Sequence, residues 1–266
     1  MPEGHTLHRL ARTLNDAFTG TSPHASSPQG RFAASAAELD GVAYGEAYAH
    51  GKHLFVAFAE ERWLHVHLGL IGRFTVSPLR PPYGAVRLRL ATEEIAGDLR
   101  GPIVCALRTA DEITAQIAQL GPDPLRADAD PDLAWARIHR SKRSIAALLM
   151  DQKVLSGVGN VYRAEALFRA RVDPFRPGTE IRRASWDAIW GDLVELMPLG
   201  VSRGRIDTLR AEHLDDFRSA NPGMRRGRVY AYRRTGQPCY VCGSPIRTEL
   251  VAGRNLFWCR RCQRRR

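Results

Sequence analysis

Polar and apolar positions change rhythm three times along the chain. Within residues 2–18, Leu7, Leu10, Ala11, Leu14, Ala17 and Phe18 recur at helical spacing, and Gly20 ends the stripe. From about 30 to 107 the pattern turns to short alternating or apolar runs, clearest at 53–59, 63–76 and 85–91, punctuated by Gly and Pro. Such runs predict short strands in a β-sandwich or barrel. Residues 121–132, GPDPLRADADPD, are rich in Pro, Asp and Ala and read as an interdomain linker. Helical spacing returns over about 133–217, where Trp186, Ile189, Trp190, Leu193, Val194 and Met197 form a stripe read as core. From 229 the chain goes back to strands and turns around cysteines. The expected organisation is multi-domain α+β. It comprises a domain over 1–120, a linker over 121–132, a helical domain over 133–228 and a small cysteine module over 229–266.

Composition narrows the partner. The 266 residues are 44% hydrophobic and 25% charged, as in ordinary globular chains. No run of 18 apolar residues predicts a membrane span, and MPEGHTLHRL lacks the layout of a secretion signal, so the chain reads as cytoplasmic. Met1 precedes a proline, a small residue after which the initiator methionine is usually removed. The net charge of +11 points to a polyanion, most commonly nucleic acid. Residues 230–266 alone carry nine arginines against one acid, Glu249. Only three of the 39 basic residues are lysines, Lys52, Lys142 and Lys153, which singles them out wherever a compact or titratable amine is needed.

Cys239-x2-Cys242-x16-Cys259-x2-Cys262 brings two close thiolate pairs together, the spacing of a structural Zn²⁺ site with no open coordination position. Two disulfides, or an iron centre, have the same spacing. Cys105 is left over and reads as a small buried hydrophobe. Between the cysteine pairs, VAGRNLFWC predicts a hairpin tip carrying Arg254 beside Gly253 and Asn255. Spacing alone makes it one solvated arginine among nine. In LLMDQKVLSGVGNVYRAEALFRA, a helix, a connection marked by Gly157 and Gly159, and a second helix capped by Asn160 follow one another. Outward-facing amides there and Lys153 just before would suit a phosphate, although a tight turn between packed helices uses the same glycines. His65 and His67 alternate on one strand face, with His5 near the chain start; packing or hydrogen bonding explains them better than a metal.

Four pieces stand in a telling order: PEG at 2–4, GKHLF around Lys52, DQKVLSGVGNVYRAE, and the cysteine module with GRNLFWC. Together they resemble the Fpg/Nei DNA glycosylases across essentially the whole chain, and the opening MPEGHTLHRLA with DLRGP is most similar to the actinobacterial endonuclease VIII branch. The resemblance implies an N-terminal helix plus β-sandwich, a helix–two-turns–helix domain and a C-terminal four-cysteine zinc finger, with damaged duplex DNA bound between domains by a monomer at the bacterial nucleoid. It implies a base-excision glycosylase and AP lyase for oxidised pyrimidines. The alternatives are a formamidopyrimidine-type enzyme for oxidised purines and a silent damage-binding protein, the latter opposed by Pro2, Glu3 and Lys52.

Residue by residue, the resemblance makes Pro2 the nucleophile, its secondary amine forming a Schiff base, and Glu3 the proton shuttle. Lys52 would assist base departure and hold a phosphate. Asn160 and Arg254 would clamp phosphates around the flipped nucleotide, with Lys153, Gly157 and Gly159 as further backbone contacts. Leu70, in HLGLIG, would fill the void that base flipping leaves; a buried strand-end leucine is the competing reading. The family's RRFG-like element is not found, and DLRGPIVC stands in that region.

Overall fold

The computed structural model describes residues 2–59, 61–220 and 228–264. Met1, whose removal the nucleophile reading requires, lies outside them. The chain divides into two compact units, 1–119 and 120–266.

The first unit opens with α1 (Gly4–Phe18), β1 (His24–Ser26) and α2 (Ala33–Leu39). Strands β2 (Tyr44–His50), β3 (His53–Phe58), β4 (Arg62–His67), β5 (Arg73–Pro78), β6 (Val86–Ala91), β7 (Ile95–Arg100) and β8 (Val104–Arg108) follow, and α3 (Ala110–Ala118) closes the unit. The strands form two antiparallel sheets, ordered β2-β3-β4-β8 and β1-β6-β7-β5. Leu54, Val56, Leu64 and Val66 of the first sheet share one core with Leu88, Leu90 and Leu99 of the second and with Leu7, Leu10, Leu14 and Phe18 of α1. Each such buried side chain stabilises the fold by about 1.5–3 kcal/mol. This is the expected helix plus β-sandwich. Cys105 packs against the same core, and burial pushes its thiol up to about 12.

One side chain fixes where the chain start lies. Asn15 accepts from the Ala47 N–H at 2.7 Å and from the Tyr44 hydroxyl at 2.9 Å, and its amide donates to the Ala47 carbonyl at 2.9 Å. It bonds the edge of β2 as a neighbouring strand would, beside the register shift between Tyr44 and Ala47. Phe18 meets Tyr44 with ring centroids 5.9 Å apart, so α1 runs antiparallel to β2. From Asn15 back to Gly4 is about 16 Å of helix, and from Ala47 on to Lys52 is about 16 Å of strand. The head of α1 therefore arrives level with the β2–β3 turn.

The second unit contains α4 (Pro131–His139), α5 (Ile145–Leu148), α6 (Asn160–Arg169), α7 (Arg183–Arg203) and α8 (Leu214–Ala220), then the hairpin β9 (Arg247–Val251) and β10 (Arg254–Trp258). The first residues of the stretch read as a linker are packed into this unit. Gly121, Pro122, Asp123 and Pro124 are buried, and the Gly121 amide donates to the Gln152 carbonyl at 2.8 Å. Trp186, Ile189, Leu193 and Met197 of α7 form a core with α6 and with Leu256 and Trp258 of β10. Val194, read as part of that stripe, is exposed instead. Among the described residues no helix is long and apolar enough to cross a membrane.

Helix α6 is buried almost throughout, including the charged Arg163 and Glu165. The Glu165 carboxylate accepts from the Tyr230, Ala231 and Tyr232 amides at 2.6, 2.8 and 2.9 Å and from the Thr208 hydroxyl at 2.6 Å. It thereby seats the strand of chain leading into the cysteine module. Each buried donor left without an acceptor costs about 1–3 kcal/mol. We expect Glu165→Ala to lower the unfolding free energy by about 3–5 kcal/mol, measured by denaturant titration; a loss under about 1 kcal/mol would mean these donors find water.

Candidate functional site

In the first unit the candidate residues gather at the head of α1 and the β2–β3 turn. Glu3 is the N-cap of α1, with extended backbone at φ −126°, and its side chain is wholly buried at the positive end of the helix. The Glu3 amide donates to the Thr6 hydroxyl at 3.4 Å, so the first turn is closed by its own side chains. Pro2 precedes it, half-buried. Lys52 occupies the two-residue turn between His50 and His53, in which Gly51 at φ +59° takes the left-handed conformation that such a hairpin needs.

Around Lys52 the outer face of β3 and β4 carries histidines. The His53 Nδ1 lies 2.8 Å from His65 Nε2, and the His53 ring meets His67 edge-on at 4.8 Å. Phe55 stacks on His65 at 4.9 Å. The Gly69 amide donates to His67 Nδ1 at 3.0 Å. Burial pushes His53 down to about 3, helped by the charges of His67, His65, His50 and Lys52. His65 is pushed down to about 4 by burial, Arg108 and His67; His67 is lowered by burial and by Lys52. His5 is likewise held at about 4, chiefly by burial. The histidines are thus neutral rings in a packed cluster, as their alternation suggested.

Leu70 lies in the β4–β5 loop, 49% exposed, while Leu68 takes the core position. That removes the reading of Leu70 as a buried strand-end leucine. Two further apolar side chains accompany it that the sequence reading missed: Ile71, 82% exposed, and Ile103, 69% exposed. The two loops touch, since a Cβ on Gly69 would fall 2.7 Å from Ile103 Cγ2 and one on Gly101 4.0 Å from Ile71 Cγ1. Ile103 belongs to DLRGPIVC, the segment found where the RRFG-like element was sought.

In the second unit, α5 and α6 are joined by buried turns. Gly157 stands at φ +85°, and its amide donates to Gln152 Oε1 at 3.0 Å while Gln152 Nε2 donates to the Val158 carbonyl at 3.0 Å. That amide points into the turn, against the expectation that the amides here face outward. The N-cap of α6 is Gly159, and Asn160 is its first helical residue, not the cap. Relieved of capping, the Asn160 side chain donates to the Asn255 carbonyl at 2.9 Å and accepts from Arg163, which also donates to the Val251 carbonyl at 3.3 Å. The first turn of α6 thus grips both flanks of the β9–β10 hairpin. Ala252 and Gly253 form its two-residue turn at φ +51° and +70°, and Arg254 follows, half-exposed. Asn160 and Arg254, read from motifs far apart in sequence, are brought together. Lys153 is exposed nearby in sequence, its carbonyl bonded by Arg137.

Cys239, Cys242, Cys259 and Cys262 place their sulfurs within 4.8 Å of one another, the only such potential metal-binding group among the described residues. The Cys239–Cys262 and Cys242–Cys259 separations are 3.9 and 3.5 Å. Tetrahedral Zn²⁺ with bonds of about 2.3 Å sets its sulfurs about 3.75 Å apart. The donor set fits one structural zinc.

Three family models match the chain: the formamidopyrimidine-DNA glycosylase N-terminal domain over residues 1–101, the formamidopyrimidine-DNA glycosylase H2TH domain over 120–211, and the zinc finger found in FPG and IleRS over 236–265. Endonuclease 8 1 of Mycobacterium tuberculosis is 53% identical over 99% of this chain and 100% of its own. Formamidopyrimidine-DNA glycosylase of Rippkaea orientalis is 29% identical over the same shares. The fold is similar to that of Lactococcus lactis Fpg complexed with abasic-site DNA, with a TM-score of 0.82 at 19% identity over 99% of this chain and 100% of that one. It is equally similar to MutM in complex with DNA containing carbocyclic 8-oxo-G, at 0.83 and 21% over the same shares.

The histidines give a pH signature. Unfolded, they take up protons near 6.5; folded, His5, His65 and His53 wait until about 4, 4 and 3. The unfolded chain binds more protons in between, so stability falls as pH drops from about 6.5 to 4. Thermal melts across that window should show a decreasing midpoint, with a shallower fall in His53→Asn; a flat profile would contradict the burial.

Proposed function

The chain belongs to the Fpg/Nei family of DNA glycosylases, and on that premise we propose that it excises oxidised pyrimidines from duplex DNA through the Pro2 nitrogen and then cuts the strand by β,δ-elimination. Enzymes of this family are DNA N-glycosylases with AP lyase activity in base excision repair. The observation that carries the finer reading is the wholly buried Glu3 at the head of α1, on a helix whose length brings it level with the Lys52 turn.

With Met1 removed, Pro2 presents a secondary amine. Its lone pair attacks C1′ of the damaged nucleotide and the bond to the base breaks, the departing base taking a proton. Glu3 delivers a proton to the sugar ring oxygen as the ring opens. The iminium so formed has no nitrogen proton to lose, so it persists as an electron sink and acidifies C2′. Loss of that proton expels the 3′ phosphate, and a second elimination expels the 5′ phosphate; water then frees Pro2. Lys52, half-buried in the β2–β3 turn, holds the adjacent phosphate. Asn160 and Arg254 clamp the strand from the second unit, and Lys153 adds charge. The exposed apolar knob of Leu70, Ile71 and Ile103 fills the gap left by the flipped base, taking over from the missing RRFG-like element. The 53% identity to an endonuclease 8 favours this branch over the purine-directed one.

Borohydride reduction of the protein with an oligonucleotide containing thymine glycol or an abasic site should trap a covalent adduct, absent in Pro2→Gly; a silent scaffold would trap none. Glu3→Gln should slow single-turnover excision by about 10²–10⁴-fold with duplex affinity little changed. Ile103→Ala should weaken binding to lesion duplex while leaving lyase activity on abasic single strands intact.

A further inference from the structure

A groove of about 540 Å³ lies on the cysteine module at the end of the β9–β10 hairpin away from Arg254. Trp258 pairs with Arg247 at that end, four residues from the Arg254–Val251 tip, or about 14 Å along the strand. The groove's floor is aromatic: half-buried Phe175 meets Trp258 edge-on at 5.1 Å. The Trp258 indole N–H is buried and meets no acceptor among the described residues. Arg247, Arg260, Arg261 and Arg264 stand around it, all exposed, and among the described residues none of the four forms an ion pair. The one acid of the lining, Asp173, is turned onto the Phe175 amide at 2.9 Å.

Four guanidiniums lining one concavity, with Asp173 the one acid among them, suit a polyanion. An aromatic floor adds nothing to the recognition of carboxylates, whereas it offers a base a face on which to stack; cationic walls with an aromatic platform are what single-stranded nucleic acid uses. The volume lies within the range of small-ligand sites, about 300–1,000 Å³, and has room for a nucleotide. We propose that this groove is a second nucleic-acid site, binding a single-stranded DNA segment by its phosphates and by stacking of a base on Phe175. It is separate from the Arg254 clamp and goes beyond the excision chemistry. A strand held there leaves the Arg254 tip of the same hairpin free, so one molecule engages a damaged duplex and an unpaired strand at once.

The test uses the full-length zinc-loaded protein saturated with a duplex carrying a tetrahydrofuran abasic analogue, which occupies the lesion site. A fluorescent octathymidylate is then titrated by anisotropy at low salt, beside an abasic octamer of equal charge and an octaglutamate peptide. The octathymidylate should bind the saturated complex, about tenfold more tightly than the abasic octamer. Phe175→Leu should erase that preference, and Arg260→Glu/Arg261→Glu, with zinc content verified, should weaken both octamers at least tenfold. Duplex binding and single-turnover cleavage should be unchanged in both variants. The proposal is overturned if the octamer fails to bind the saturated complex, if thymidylate and abasic octamers bind alike, or if octaglutamate competes equally, which would mark an acidic-peptide site. Failure of the lesion-site reading would show separately, as a duplex that never saturates.

Discussion

A buried carboxylate organises the second half of the molecule. Glu165 collects three consecutive backbone amides and a hydroxyl, and within five residues on the same helix Asn160 and Arg163 reach the hairpin of the cysteine module. Burying two charges and an amide is costly unless every polar atom is met. Here most of the partners are backbone groups of the cysteine module and of the chain leading into it, so meeting these buried groups fixes the module's position. Zinc closes the far end of the same module through four thiolates. Metal and helix therefore hold opposite ends of one short hairpin, and Arg254 emerges at the end that the helix holds.

The first half solves a different problem, which is how to hold a chain terminus still. Termini fray unless tied down. Helix α1 buries Leu7, Leu10, Leu14 and Phe18 in the sandwich core, and Asn15 pins it to β2. The register of that pinning carries the first residues to the turn with Lys52. Rigid secondary structure, rather than a loop, thus sets the geometry on which the proposed nucleophile depends.

Much of this was legible in the sequence. The α1 stripe, the strand runs, the paired cysteines and the Gly-marked connection each have a local physical cause, and the structure contains each of them. Asn160 and Arg254 stood in recognisable motifs, but their proximity depends on a contact between residues 95 apart. Other features had no local signal. Arg163 and Glu165 look like ordinary polar residues of a surface helix, and only the packing of α6 on all sides makes them interior. The capping assignment slipped by one residue because Gly159 and Asn160 both cap helices readily, and the side chain found a better partner in a hairpin far along the chain. Ile103 was overlooked because an isolated apolar residue in a loop is unremarkable until a second loop, bearing Leu70 and Ile71, is seen to touch it. The stretch 121–132 has the composition of a linker, yet Pro and Asp serve equally well in a buried turn.

The way Asn15 bonds to β2 has a further consequence. An outer strand with unpaired backbone groups is a template for adding strands from other molecules, and proteins blunt such edges to stay unaggregated. Here the blunting device is the helix that follows the proposed reactive residue, the side-chain amide of Asn15 standing in for the absent neighbouring strand beside a bulge. Colloidal stability and reactivity are therefore tied to the same segment. A change that loosened the chain start to admit bulkier damage would uncover an adhesive edge, which sets a limit on how far selection can relax that end of the molecule.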